Sequence, residues 1–173
     1  YLPRFASGEL RGGIGLTEPD CGTDLQGIRT QAVGEDDHYV VNGAKTWITN
    51  SAEGGILAVL VKTDPRAEPA HRGMSLLLIE KGPGFTVVRK LDKLGYKGID
   101  TAELLFEDCK VSRANLVGEE EGRGLQQILS GLELGRFSGS RRRGWLDRAY
   151  GRRGRRARAD RSTLDRPRRE RRR

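Results

Sequence analysis

Two uninterrupted apolar runs, Ile56-Leu57-Ala58-Val59-Leu60-Val61 and Met74-Ser75-Leu76-Leu77-Leu78-Ile79, constrain this chain more than any other feature. Each has the length of a strand, and neither leaves a polar face for water. A half-solvated strand alternates, whereas a continuous run implies cover on both faces. These strands therefore need a second layer, which a sandwich or a closed barrel provides.

The surrounding sequence supports that architecture. Ile28-Arg29-Thr30-Gln31-Ala32-Val33 and His38-Tyr39-Val40-Val41-Asn42-Gly43 are β-rich runs joined by Gly34-Glu35-Asp36-Asp37, a hairpin signal. Phe85-Thr86-Val87-Val88 and Ala102-Glu103-Leu104-Leu105-Phe106 supply two further strands. Six or seven strands without alternating helices argue against a parallel α/β sheet. The expected fold is mainly β, a predominantly antiparallel barrel or sandwich. Beyond Gly118 the period changes, with Leu125, Ile128, Leu129 and Leu132 at helical spacing. Glu119-Glu120-Glu121 puts negative charge where a helix start favours it, which predicts a helix beginning near Glu120 and a solvated acidic first turn.

The formal net charge of +8 would ordinarily suggest nucleic acid or an anionic membrane as partner. Its distribution removes that inference for most of the chain. Of 32 basic residues, 16 are Arg in the last 37 positions, beside only four acids and no Lys, so residues 1–136 carry a net acidic excess. The tail, 137–173, has too few apolar groups to offset its ordering entropy and is expected to be disordered. Such Arg-only composition is what a shifted reading frame in a GC-rich gene would produce. The alternative function class is a nucleic-acid-binding protein acting through this polycation.

Two short segments carry the chemistry. Leu16-Thr17-Glu18-Pro19-Asp20-Cys21-Gly22-Thr23-Asp24 gathers two hydroxyls, a Gly and several backbone N–H groups. Trp47-Ile48-Thr49-Asn50 sets a flat aromatic two residues from another hydroxyl. Side chains at i and i+2 share a strand face, so Trp47 and Thr49 can address one ligand together. A planar cofactor with polar edges needs such a wall and such donors. With Asn42-Gly43-Ala44-Lys45-Thr46, Lys93-Leu94-Gly95-Tyr96-Lys97-Gly98 and Phe106-Glu107-Asp108-Cys109-Lys110-Val111, these segments resemble the flavin-binding middle domain of the acyl-CoA dehydrogenases.

The resemblance covers residues 1 to about 136. It implies the end of an N-terminal helical region at 1–13, the middle β domain at 14–112, and a linker with the first C-terminal helix at 113–136. It further implies FAD as cofactor, held by Leu16, Thr17, Gly22, Thr23, Trp47, Ile48 and Thr49. Thr17 would meet the pyrimidine end of the ring, Gly22 and Thr23 the diphosphate, and Thr49 the ring nitrogen that receives hydride. Thr23, Glu133 and Arg136 would contact acyl-CoA. The implied reaction is dehydrogenation of an acyl-CoA thioester to the 2,3-enoyl-CoA by a homodimer or homotetramer, with electrons passed to an electron-transferring flavoprotein. An oxidase of the same family is a further alternative. The catalytic carboxylate is expected outside this chain, because Gly135 stands where a subset of the family carries it. Ser112 also departs from a Pro common after the last strand.

Other features have plainer readings. His38 and His71 lie near no Cys or carboxylate at ligand spacing, so neither is read as catalytic or as a metal ligand. Gly12-Gly13-Ile14-Gly15 lacks the helix that a phosphate-cradling fingerprint requires. Cys21 and Cys109 are too few and too far apart for a disulfide framework, which suits a reducing, cytoplasmic setting. No run approaches a membrane span, and a start at Tyr1-Leu2-Pro3 reads as an internal piece of a longer protein.

Overall fold

The computed structural model describes residues 1–135. Arg136 and the Arg-rich tail, for which disorder was the expectation, lie outside the described residues. Residues Tyr1–Leu129 form one compact unit, and the fold below is theirs. Its elements are helix α1 (Leu2–Ala6) and strands β1 (Gly12–Gly15), β2 (Gln31–Gly34), β3 (His38–Thr49), β4 (Ile56–Lys62), β5 (Met74–Glu80), β6 (Phe85–Lys90) and β7 (Thr101–Ser112). Helix α2 begins at residue 124 and is helical through 135.

All seven strands form one curled sheet in the order β1-β4-β2-β3-β7-β6, with β5 on β4. The pairs β2–β3, β3–β7, β4–β5 and β6–β7 are antiparallel. The sheet is predominantly antiparallel, as expected, with two parallel pairings on β4: β1, Gly12 opposite Ile56 through Gly15 opposite Val59, and a single contact with β2. Because β5 occupies one edge of β4 along its length, β1 and β2 share the other, β2 touching it where Gln31 meets Lys62. The run from Ile28 is also shorter than expected as a strand. Residues Leu25–Gly27 form a 3-10 turn capped by the Asp24 carboxylate, Ile28 is buried just after it, and pairing starts at Gln31.

Both faces of the β4–β5 pair are covered, as their unbroken apolar runs require. Leu57, Val59, Val61, Leu77 and Ile79 join Tyr39, Val41, Ile48, Leu104 and Phe106 in the main core. Leu60, Met74 and Leu76 face a second cluster with Ile28 and Ile128, against which Leu16, Cys21 and Leu25 also pack. The segment between β1 and β2 and the start of α2 therefore roof the outer side of β4 and β5.

The acidic run 119–121 is a turn and not the first turn of the helix. Glu119 takes φ 59° between Gly118 and Gly122 at 80° and 77°, left-handed values that no helix start can include. Glu121 is tied to the sheet, accepting a 2.7 Å hydrogen bond from the Tyr39 hydroxyl. Burial, reinforced by that carboxylate, pushes the Tyr39 phenol up to about 12. Gly124 then opens α2 so close to β5 that a Cβ would stand 2.5 Å from the Ser75 carbonyl carbon.

The Gly-rich strand β1 has a packing explanation as well. A Cβ on Gly13 would stand 2.1 Å from the Thr49 carbonyl oxygen. Gly13→Ala should therefore destabilise the chain by about 2 kcal/mol or more in urea unfolding, the usual size of an overpacking clash. Gly95→Ala, with no atom within 4 Å of its Cβ position, should stay within about 0.5 kcal/mol.

Candidate functional site

Strand β3 carries two irregularities against β7, one between Val41 and Gly43 and one between Lys45 and Ile48. The second decides where the site residues point. Lys45 pairs with Leu104 and Ile48 with Ala102, both core positions, while Thr49 pairs with Thr101 on the other side. Strict alternation would put residues 45, 47 and 49 on one face. The extra residue of the bulge breaks that rule, so Lys45 and Ile48 turn inward while Trp47 and Thr49 turn outward. Trp47 takes φ 59°, a backbone conformation costly for a bulky residue, and its side chain is 61% exposed.

Beside the bulge lies a cavity of about 400 Å³ lined by Pro19, Trp47, Val88, the β3 stretch Ala44, Lys45 and Thr46, and the β7 stretch Glu103, Leu104 and Leu105. Pro19 belongs to the loop 16–24 that the sequence singles out, so the structure brings the two segments together. The backbone N–H of Thr46 donates to the Thr17 carbonyl at 2.9 Å. Gly22 and Thr23 are exposed along the same loop, and Leu16 is half-buried on the second core cluster. Ile48 is only 2% exposed, its side chain in the main core, so only its backbone can meet a ligand. Glu133 lies on α2, and Arg136 lies outside the described residues.

What sequence reasoning did not assign is the support beneath this loop. Lys45 is 1% exposed and its ammonium lies 2.9 Å from Glu18 Oε1, donating also to the Leu16 carbonyl at 3.0 Å. The Glu18 carboxylate further accepts the backbone N–H groups of Arg29, at 2.6 Å, and Thr30, at 3.0 Å. Glu18 and Cys21 close a small turn by reciprocal backbone bonds. Burial acts to raise the Glu18 carboxyl, but the Lys45 charge and these hydrogen bonds outweigh it and hold it below the usual carboxylate range. Burial pulls the Lys45 ammonium below the usual lysine range, and Glu18 offsets this only in part.

Glu103, the one carboxylate lining the cavity, is gripped by Arg89 through two hydrogen bonds of 2.7 and 2.8 Å, which hold its carboxyl low and suit it poorly to accept a proton. His38 sits at the β2–β3 turn with Nδ1 2.7 Å from the Asp37 carboxylate, and His71 lies in the exposed loop before β5. Among the described residues no three His, Cys, Asp or Glu are arranged to hold a metal, and no helix is long and apolar enough to cross a membrane.

Known proteins share this fold. The family described as acyl-CoA dehydrogenase, middle domain, matches residues 13–109. Mitochondrial isovaleryl-CoA dehydrogenase of Pongo abelii is 46% identical over 138 residues, covering 79% of this chain and 32% of that protein. A solved acyl-CoA dehydrogenase from Geobacillus kaustophilus superposes with a TM-score of 0.73 at 50% identity, covering 75% of this chain and 34% of the other. A glutaryl-coenzyme A dehydrogenase solved with glutaryl-CoA gives 0.69 at 36% identity, covering 74% and 32%. The chain spans about a third of the length of the curated relatives it matches.

The buried pair makes two predictions. Lys45→Met leaves Glu18 charged and unpaired, and should cost about 3–5 kcal/mol in urea unfolding, while Glu18→Gln/Lys45→Met should cost less than that single change. A carboxyl held low in the folded state stabilises above its unfolded value, and that contribution is lost as pH falls through the folded one. Unfolding free energy measured from about pH 6 down to about pH 2 should therefore fall less steeply in Glu18→Gln than in the parent chain.

Proposed function

The chain belongs to the acyl-CoA dehydrogenase family by its middle domain, and from that premise we propose that it supplies the ring-binding β domain of an FAD-dependent enzyme that converts an acyl-CoA thioester to its 2,3-enoyl-CoA. The observation that carries this reading is the outward pair Trp47 and Thr49 beside the loop 16–24. An indole left largely in water on a strained backbone is a cost to the chain alone. A flat aromatic ligand recovers that cost, so the residues present fit a flavin ring.

Bound FAD supplies the acceptor for hydride leaving the β carbon. The chain's own residues bind and orient. Trp47 covers the ring and keeps water from one side, while the Thr49 hydroxyl donates to the ring edge. Thr17 offers a hydroxyl and a backbone N–H to the pyrimidine end. Gly22 and Thr23 lie on the exposed stretch of the loop, where a diphosphate can approach the backbone, and Thr23 reaches on to acyl-CoA with Glu133 and Arg136. Ile48 contributes backbone only. The α proton needs a base that neither Glu103 nor Gly135 provides, so that group comes from elsewhere in the assembled enzyme. Completion of the pocket by a homodimer or homotetramer, and reoxidation by an electron-transferring flavoprotein, belong to this reading. The free thiols Cys21 and Cys109 suit a reducing compartment such as the cytoplasm.

Titration of the 173-residue chain with FAD, followed by flavin fluorescence, tests the reading. Binding should be weak, since one domain supplies part of the contact surface. Trp47→Ala should weaken it by at least about fivefold, the worth of one aromatic contact. Butyryl-CoA added anaerobically should leave bound flavin oxidised. FAD binding that is indifferent to Trp47→Ala would overturn the assignment, and rapid bleaching by the thioester would overturn the placing of the base outside this chain.

A further inference from the structure

Lys45 bonds to two points of the loop 16–24, and one of them does more than hold it in place. Its ammonium takes the Leu16 carbonyl at 3.0 Å, while the next carbonyl, of Thr17, is taken by the Thr46 N–H at 2.9 Å. A trans peptide is planar, with C=O and N–H pointing opposite ways. Drawing the Leu16 carbonyl down onto a buried ammonium therefore turns the N–H of the same peptide unit, that of Thr17, away from the pair. Glu18 completes the clamp, because its carboxylate is fixed by Lys45 and by the N–H groups of Arg29 and Thr30, and it cannot swing out.

We propose that Lys45 is a positioning residue that sets the orientation of the Leu16–Thr17 peptide and so aims the Thr17 N–H at the edge of a bound flavin ring. The inference rests on the flavin reading above. It assigns to a buried side chain, whose ammonium is committed to the Leu16 carbonyl and Glu18, the placement of a donor that touches the ligand. Lys45 keeps the inward face of Tyr39 and Val41, and the bulge that follows it turns Trp47 outward, so the ring's wall and, through Lys45, its edge donor come from neighbouring positions on opposite sides of β3.

Nuclear magnetic resonance on the full chain tests this in two arms. The first measures the direction of the Thr17 N–H by residual dipolar couplings, without flavin. Glu18→Gln keeps one acceptor oxygen, enough for Thr30 and Lys45 but not for Arg29, and leaves the Lys45 ammonium on the Leu16 carbonyl, so the Thr17 N–H should retain the parental direction. Glu18→Gln/Lys45→Met should lose it while the couplings of β4 and β5 stay unchanged. If that variant does not fold, Glu18→Gln/Lys45→Leu makes the same deletion with a different apolar side chain. The second arm titrates FAD and follows the amides of Thr17 and Thr49 and the indole of Trp47. The double variant should bind at least about tenfold more weakly, with the response at Thr17 abolished. A folded double variant whose Thr17 direction or FAD affinity matches the parent overturns the role of Lys45 alone. A parent chain in which FAD moves none of the three signals overturns the flavin reading, and this inference with it.

Discussion

The ion pair between Lys45 and Glu18 is the interaction on which the rest of this domain depends. Withdrawing two charges from water costs several kcal/mol for each, and the attraction between them repays this only when every remaining donor and acceptor is used. Here the carboxylate is met by Lys45, Arg29 N–H and Thr30 N–H, and the ammonium by a second acceptor at Leu16. Two apolar residues could fill the same space at similar stability. What they could not do is pin a loop at four defined polar points, two to Lys45 of β3 and two to the segment just before β2, and that selection of one loop conformation is the reason we assign for keeping charge in the interior.

The same region shows how a sheet can serve packing and binding at once. On β4 and β5 both faces are closed, one by the main core and the other by the loop 16–28 with the start of α2. Along β3 and β7 the outer face stays open, and the bulge at Trp47 delivers a large aromatic there without drawing one from the core. The strained backbone at Trp47 belongs to this arrangement: a regular strand would have returned the indole to the interior.

Much of this was legible in the sequence, for identifiable reasons. Unbroken apolar runs gave β4 and β5, and the i, i+2 relation of Trp47 and Thr49 gave their shared face. Strand β1 was hidden because Gly-Gly-Ile-Gly has no β preference, and its place follows from a contact with Thr49 that only the fold creates. The acidic turn was misjudged as a helix start because charge favours that position, while the left-handed geometry at Glu119 has no sequence signature. Glu18 and Lys45 were visible as residues of two motifs. Their meeting was not, because a lysine in a strand ordinarily faces water, and only a partner 27 residues away makes the inward face of Tyr39 and Val41 tolerable for Lys45.

The parallel pairing of β1 with β4 has a consequence for how the domain assembles. Strand β1 leaves the ribosome well before its partner, since Gly12 must wait for Ile56, whereas β4 and β5 can close on each other as soon as both are made. Contacts between distant segments carry a larger loop-closure entropy and form later than local ones. The loop 16–24 is suspended between β1 and β2, so it acquires its shape only after that late docking. The shape of this loop is then among the last things the chain completes during synthesis, and a nascent chain stalled before β4 would expose the loop and its two future buried charges together.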